Sequence, residues 1–124
     1  MACANGATPV SGPPPPPPAS AFSPLAPAPA TFDSPLAAAD YYARYKPEFE
    51  GGGSFDLISR RVPASDALEL VFAAEGYADD SVNGEQWRII LERAGAGWRV
   101  TEAGRRFKCY RGANPGQWQK DLCV

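Results

Sequence analysis

Proline restricts which part of this chain can fold. Six consecutive prolines occupy positions 13–18, and a stretch rich in alanine, serine and proline follows them to Ala30. Proline lacks a backbone N–H and has a fixed φ, so such a run favours extended polyproline II without internal hydrogen bonds. We therefore predict a disordered Pro/Ala-rich tether over residues 1–32 and a single small domain over residues 33–124. In an alternative interpretation the hexaproline is the ligand of a proline-recognising domain, and the chain is a Pro-rich adaptor.

A helix is predicted at the start of the domain. Ser34 is a favourable N-cap, Pro35 suits the first helical position, and Leu36 begins a stretch with helical spacing that continues to Lys46. Pro47 ends this helix, because the residue before a proline avoids the α region. Three glycines then interrupt the chain at positions 51–53.

Beyond the glycines the sequence alternates between apolar and polar residues, which is typical of strands. The predicted strands cover residues 55–62, 66–74, 86–93, 98–101 and 107–109. Asn83-Gly84 is a strong hairpin-turn signal, residues 94–97 form a second turn, and Gly104 permits another turn or a bulge. One helix followed by four or five antiparallel strands is an α+β fold, in which we expect the N-terminal helix to pack on a curved sheet.

The chain contains no histidine. That removes the commonest general base and metal ligand, and it excludes Ser-His-Asp and Cys-His catalysis. The only close pairs of carboxylates are Asp79/Asp80 and Glu48/Glu50, and both pairs lie beside predicted turns. We therefore predict no catalytic residues, no cofactor and no metal, with a hydrolase that uses Asp79 or Asp80 as the alternative.

The loop that starts at Asp79 partly matches the residue pattern of a calcium-binding EF-hand loop. Asp79, Ser81, Asn83 and Gly84 fit its first half. Ile90 stands where a bidentate glutamate is required, so a polar hairpin loop is the preferred interpretation.

The chain has three cysteines. Cys109 and Cys123 lie near its C-terminal end, and Cys3 lies near its start. A disulfide between Cys109 and Cys123 would close a loop of about 15 residues, which is worth on the order of 3 kcal/mol in the chain-entropy model. We predict this disulfide for an exported protein, with two free thiols in a cytosolic protein as the alternative. The odd cysteine, Cys3, would be a hazard in an oxidising compartment unless it is capped.

Charge is distributed unevenly along the chain. Residues 1–85 hold 4 basic and 11 acidic side chains, whereas residues 86–124 hold 8 basic and 3 acidic ones. The candidate anion-binding residues near the last strands are Arg99, Arg105, Arg106, Lys108 and Arg111. The preferred interpretation is that outward-facing strand positions carry charge without any ligand, and an anion-binding face is the alternative. The net charge of −2 argues against nucleic acid as a partner.

The overall layout resembles the mature form of bacterial lipoproteins: Cys3, then a tether, then a small disulfide-closed domain. The segments 84–91, 97–100, 107–109 and 118–123, with their Trp-x-Val strand and terminal cysteine pair, are similar to small exported bacterial proteins of unknown function. The resemblance implies a lipid anchor on Cys3, and through it the membrane as a partner. It also implies a periplasm-facing location at the bacterial cell envelope. The outer membrane is favoured in a Gram-negative host, because Ala4 follows Cys3 where an aspartate would resemble a retention signal.

The expected function is accordingly a lipid-anchored binding or structural module of the envelope. Its partner would be an unknown envelope protein or an anionic envelope component. A periplasmic or secreted enzyme or inhibitor domain is the alternative.

Overall fold

An antiparallel sheet dominates the computed structural model, which describes residues 15–124. Within those residues the chain forms seven strands in one sheet and a single α-helix, α1 (Pro35–Tyr42), between the second and third strands. The strands are β1 (Ser23–Leu25), β2 (Thr31–Phe32), β3 (Phe49–Ala64), β4 (Ala67–Tyr77), β5 (Val82–Ala94), β6 (Gly97–Cys109) and β7 (Trp118–Gln119).

The four long strands β3 to β6 form a meander. Short turns join them, at residues 65–66 between β3 and β4 and at residues 95–96 between β5 and β6. The outer edge of β6 is covered by three short strands, β1, β2 and β7, which all pair antiparallel with it. β6 therefore has partners on both sides, whereas β3 forms the opposite edge of the sheet.

One face of the sheet packs against α1. Alternation along β4 and β5 places six large apolar residues on this face: Leu68, Leu70, Phe72, Trp87, Ile89 and Leu91. Ser34 caps the helix by accepting a hydrogen bond from the Ala37 N–H at 3.1 Å, as the sequence predicts. Ala38, Ala39 and Ala43 are buried in the same core, and their small side chains let the helix approach the sheet closely. Leu36, in the first turn of α1, is 65% exposed.

The opposite face carries a network of charges across the four long strands. Glu69 on β4 is only 1% exposed and accepts hydrogen bonds from Arg61 Nε at 2.9 Å and Arg88 Nε at 2.8 Å. Arg88 also pairs with Glu102 on β6. A buried carboxylate is tolerated only when it is paired, and two guanidinium groups provide that pairing here.

The segment before the helix joins the sheet, and we call residues 19–32 the strap. It contains a short 3-10 helix (Ala19–Ala21), β1 and β2, and its Phe22 is 3% exposed. Phe22 packs on Gly104 of β6, where a Cβ would come within 2.8 Å of the Phe22 Cβ. Gly104 lies within β6, and its lack of a side chain makes room for the strap. The turn that the sequence permits at Gly104 is therefore absent.

The predicted α+β fold is wrong. The described residues form a seven-stranded sheet with one short helix of eight residues, instead of a helix on four to five strands. The disordered tether is also wrong for residues 19–32, because the strap pairs with β6 and buries Phe22. The domain therefore begins before the predicted boundary at residue 33. Residues 1–14 lie outside the described part of the chain.

The predicted turn at Asn83-Gly84 is wrong as well, since both residues lie within β5. The Asn83 side chain accepts a hydrogen bond from the Gly76 N–H at 3.0 Å, and Gly84 packs so closely on the Ala74 carbonyl that a Cβ has no room. The turn occurs earlier, where the Asp79 carboxylate accepts hydrogen bonds from the backbone N–H groups of residues 81 and 82. Asn83-Gly84 therefore marks a close contact between β4 and β5 instead of a turn of the chain.

The predicted disulfide between Cys109 and Cys123 is confirmed. Cys109 is buried at the end of β6, and the bond fixes the C-terminal tail beside that strand. β7 in the same tail pairs Trp118 with Lys108. The disulfide and the short strand together hold an otherwise irregular segment against the sheet.

Loss of the disulfide is expected to destabilise the fold. In a Cys3→Ser background, which prevents disulfide exchange, Cys123→Ser should lower the free energy of unfolding by about 3 kcal/mol, because the unfolded chain regains the freedom of a loop of about 15 residues. Urea denaturation of the two variants measures this difference, with Cys3→Ser alone as the control. A loss below about 1 kcal/mol would show that the tail is held by other contacts.

Packing of Phe22 on Gly104 is expected to couple the strap to β6 energetically. Gly104→Ala should lower the free energy of unfolding by about 1–3 kcal/mol, because the new methyl group overlaps with Phe22. In a Phe22→Gly background the same substitution should cost less than half as much, since the clashing Cβ of residue 22 is gone. Denaturation of the four chains gives the coupling energy, and equal costs in both backgrounds would contradict the contact.

Candidate functional site

A cavity of about 230 Å³ opens where the end of α1 meets the strap and the strands β5 and β6. Aromatic and cationic side chains dominate its lining: Tyr41, Tyr42, Tyr45, Arg44 and Arg105. Leu25, Ala26 and Trp87 complete the walls. We call this site the tyrosine–arginine cavity.

The end of the helix positions three of these side chains. Tyr41 lies in the last turn of α1, and Arg44 and Tyr45 follow in the turn directly after the helix. The Arg44 guanidinium carbon is 3.8 Å from the centroid of the Tyr41 ring and 4.5 Å from that of Tyr45. One guanidinium nitrogen also donates to the Tyr41 carbonyl at 2.6 Å. Cation–π contacts and one hydrogen bond therefore hold Arg44 at the cavity.

Tyr42 ties the helix to the strap. Its hydroxyl accepts a hydrogen bond from the Ala28 N–H at 2.8 Å and donates to the Ala26 carbonyl at 3.2 Å. Burial raises the pKa of Tyr42, so the phenol stays neutral and keeps its proton for donation. These bonds bring Ala26 into the wall of the cavity.

Arg105 reaches the cavity from β6. It donates to Glu85 at 3.3 Å, and its guanidinium carbon is 4.9 Å from the centroid of the Phe107 ring. Glu85 also accepts a hydrogen bond from the Tyr77 hydroxyl at 2.9 Å. Tyr77 is fully buried, and this burial together with the charge of Glu85 raises the pKa of its phenol well above the usual range. A neutral phenol therefore helps to fix the carboxylate that orients Arg105.

Trp87 forms a rigid part of the wall. It is 2% exposed and stacks on Phe72 with 5.4 Å between ring centroids, while Phe55 meets it edge-on at 6.5 Å. Its indole Nε1 has no hydrogen-bond partner among the described residues. Since Trp87 belongs to the central core, the wall cannot shift without repacking the sheet.

The charges in this lining have one sign. Two guanidinium groups line the cavity, and no carboxylate is among the described residues of its wall. The lining offers hydrogen-bond donors and aromatic surface, which are features of a recognition site. The arrangement therefore favours an anionic ligand with an apolar or aromatic part.

The five predicted anion-binding residues do not share one face, because successive residues of a strand point to opposite faces of the sheet. Arg105 lines the tyrosine–arginine cavity. Arg106 donates to the Gln86 side chain at 2.7 Å and lies over the rings of Phe22 and Trp118. Arg106 therefore helps to pack the strap, through Phe22, and the C-terminal tail, through Trp118, against the sheet.

The other three residues lie apart from the cavity. Lys108 pairs with Glu75 at 2.6 Å and contacts the Trp118 ring. Arg99 is 4.0 Å from Glu92 near the β5–β6 turn, and Arg111 lies in a groove of the C-terminal tail. Of the predicted set, Arg105 is the member that joins the cavity. The predicted lipid site, Cys3, lies outside the described residues.

Asp79, considered as a catalytic or calcium-binding residue in the sequence, has a structural role in this fold. The hydrogen bonds that the Asp79 carboxylate accepts from Val82 and Ser81 lower its pKa, so it stays ionised as a turn cap. Within residues 15–124 no group of three or more His, Cys, Asp or Glu side chains is placed to hold a metal ion.

Sequence reasoning missed Arg44 and the tyrosines around it. The available signal was the spacing of Tyr41, Arg44 and Tyr45, which places the three side chains close together in the helix predicted to continue to Lys46. Leu25 and Ala26 carried no such signal, because they reach the cavity only through pairing of the strap with β6. Trp87 carried none because it reaches the cavity from the core side of β5.

Comparison of the chain with protein-family models, with curated proteins and with solved structures finds no match in any of the three. None of the described helices has the length and apolar character needed to cross a membrane.

Stability is expected to fall at high pH because of Tyr77. Its pKa is raised in the folded chain above the ordinary value of 10.0, so the stabilisation is fully present below pH 10.0 and is lost as the pH rises. Between about pH 9.5 and pH 11, Tyr77→Phe should therefore lose less stability than the wild type, by at most about 1.4 kcal/mol per pH unit.

Denaturant unfolding over this pH range measures the effect. Tyr45→Phe is the matched control, because Tyr45 is 83% exposed and should leave the wild-type slope unchanged. Identical slopes for the wild type and Tyr77→Phe would contradict this role of Tyr77.

Proposed function

We propose that this chain is a binding module of the bacterial cell envelope, in an oxidising compartment, held at the membrane by a lipid on Cys3. The observation that carries the binding role is the tyrosine–arginine cavity. Its lining combines two guanidinium groups with three tyrosines and contains no carboxylate among the described residues. Concave sites of this composition bind ligands, with charged groups fixing the orientation and aromatic groups supplying contact area.

The scaffold supports a role in recognition. Arg105 is oriented by Glu85, Tyr42 is fixed by two hydrogen bonds to the strap, and Trp87 is packed in the core. Side chains that are already ordered lose little conformational entropy when a ligand binds. The cavity is therefore preorganised, as a binding module requires.

The compartment is supported by the disulfide between Cys109 and Cys123, since such bonds persist outside the reducing cytosol. In that compartment Cys3 needs a cap, because a free thiol can exchange with the disulfide. A lipid thioether is a cap that also provides a membrane anchor. Ala4 after Cys3 favours the outer membrane in a Gram-negative host.

The experiment for this proposal is an intact mass of the protein expressed from its complete gene in a bacterial host, with thiols counted before and after reduction. We expect acyl mass on Cys3 and two thiols that appear only on reduction. Cys3→Ser is the control, and it should lose the acyl mass and keep the disulfide. An unmodified Cys3 with three free thiols would contradict the envelope role and favour the Pro-rich adaptor.

A further inference from the structure

We propose that the tyrosine–arginine cavity binds a small organic carboxylate. Arg44 and Arg105 hold the carboxylate group, and the tyrosine rings pack against the apolar body of the ligand. This inference rests on the proposed binding role and names the chemical class of the ligand.

Arg44 has the free donors that such a ligand needs. A guanidinium has five N–H donors, and the hydrogen bonds of the described residues use one side-chain donor of Arg44, on the Tyr41 carbonyl. Its flat face is stacked on the rings of Tyr41 and Tyr45, which leaves the edge of the guanidinium for ligands. That edge matches the two oxygens of a carboxylate, so a bidentate pair can form. No carboxylate of the described residues forms an ion pair with Arg44.

Arg105 also retains binding capacity. Its contact with Glu85 is 3.3 Å long, whereas charge-assisted N–H···O bonds are usually about 2.7–2.9 Å. Glu85 receives a shorter bond, 2.9 Å, from the buried Tyr77 hydroxyl. Among the described residues Glu85 uses one of the five N–H donors of Arg105, so Arg105 can bind a ligand carboxylate while it stays paired with Glu85. Arg44 and Arg105 can then both bind the carboxylate group of one ligand.

The size and surface of the cavity favour an organic anion over an inorganic one. At about 230 Å³ it lies below the roughly 300–1,000 Å³ of sites for drug-sized ligands, so it suits a small molecule. Tyr45, Leu25 and Trp87 provide aromatic and apolar surface that phosphate or sulfate would leave unused. A flat apolar group attached to a carboxylate uses both parts of the lining.

Three of the predicted anion-binding residues outside the cavity have partners in the protein itself. Arg106 donates to Gln86, and Lys108 pairs with Glu75. Arg99 has Glu92 as its acidic neighbour and is more than half exposed, which makes it a control for general attraction of anions. Arg44 and Arg105 differ from these three in lining one cavity together, although Arg105 also pairs with Glu85.

The test titrates the purified, oxidised chain with benzoate at constant ionic strength and follows the side-chain N–H signals of arginine and tryptophan by NMR. Benzoate should shift the signals of Arg44, Arg105 and Trp87. Benzamide, which has the same shape without the charge, should bind at least about tenfold more weakly, since it lacks the charge-assisted pairs. Arg44→Gln should weaken benzoate binding about tenfold, while Arg99→Gln should change it less than about twofold.

Each contrary result overturns a defined part of the inference. Equal binding of benzoate and benzamide, or no effect of Arg44→Gln, would overturn the carboxylate assignment and leave a neutral-ligand site. Inorganic phosphate that binds as tightly as benzoate would overturn the organic ligand. Tyr45→Ala should weaken benzoate and leave phosphate unchanged, and the reverse would contradict the packing role. No binding of any probe overturns the cavity as a site, whereas the envelope role stands or falls with the intact mass.

Discussion

The outer edge of β6 is the constraint on which the rest of the structure depends. A strand of 13 residues presents a row of backbone donors and acceptors along each edge, and β5 covers one edge only. Three short strands cover the other: β1 opposite residues 103–105, β2 opposite Trp98 and Arg99, and β7 opposite Phe107 and Lys108. None of the three is long enough to be a stable strand without β6. Pairing with this edge therefore brings both the strap and the C-terminal tail into the fold.

The cavity is a consequence of the same pairing. β1 places Leu25 and Ala26 beside Arg105, and the strap then supplies the backbone groups that bond the Tyr42 hydroxyl. β2 leads directly into α1, where the Phe32 ring contacts Tyr41 at 5.5 Å. The strap thus sets the position of the helix end that carries Arg44. Fold and candidate site depend on one set of contacts, so a change that releases the strap should affect both.

Local signals predicted the elements that local chemistry determines. The Ser34 cap, the alternation along β4 and β5 and the turn at residues 94–97 are all present, because each depends on neighbouring residues. The strap was missed because Ser23 pairs with Arg105, far along the chain, and a proline-rich stretch gives no alternation to reveal it. For the site, Arg105 was predicted from its basic surroundings. Arg44 was not, since its significance depends on where the helix end packs.

The central claim, that the strap is part of the folded domain, is tested most directly by urea denaturation of the full chain and of a chain that begins at Asp33, with tryptophan fluorescence as the readout. If β6 requires β1 and β2, the shorter chain loses its cooperative transition or unfolds at a much lower urea concentration. Equal midpoints and equal slopes for the two chains would contradict the account and restore a domain that starts at residue 33.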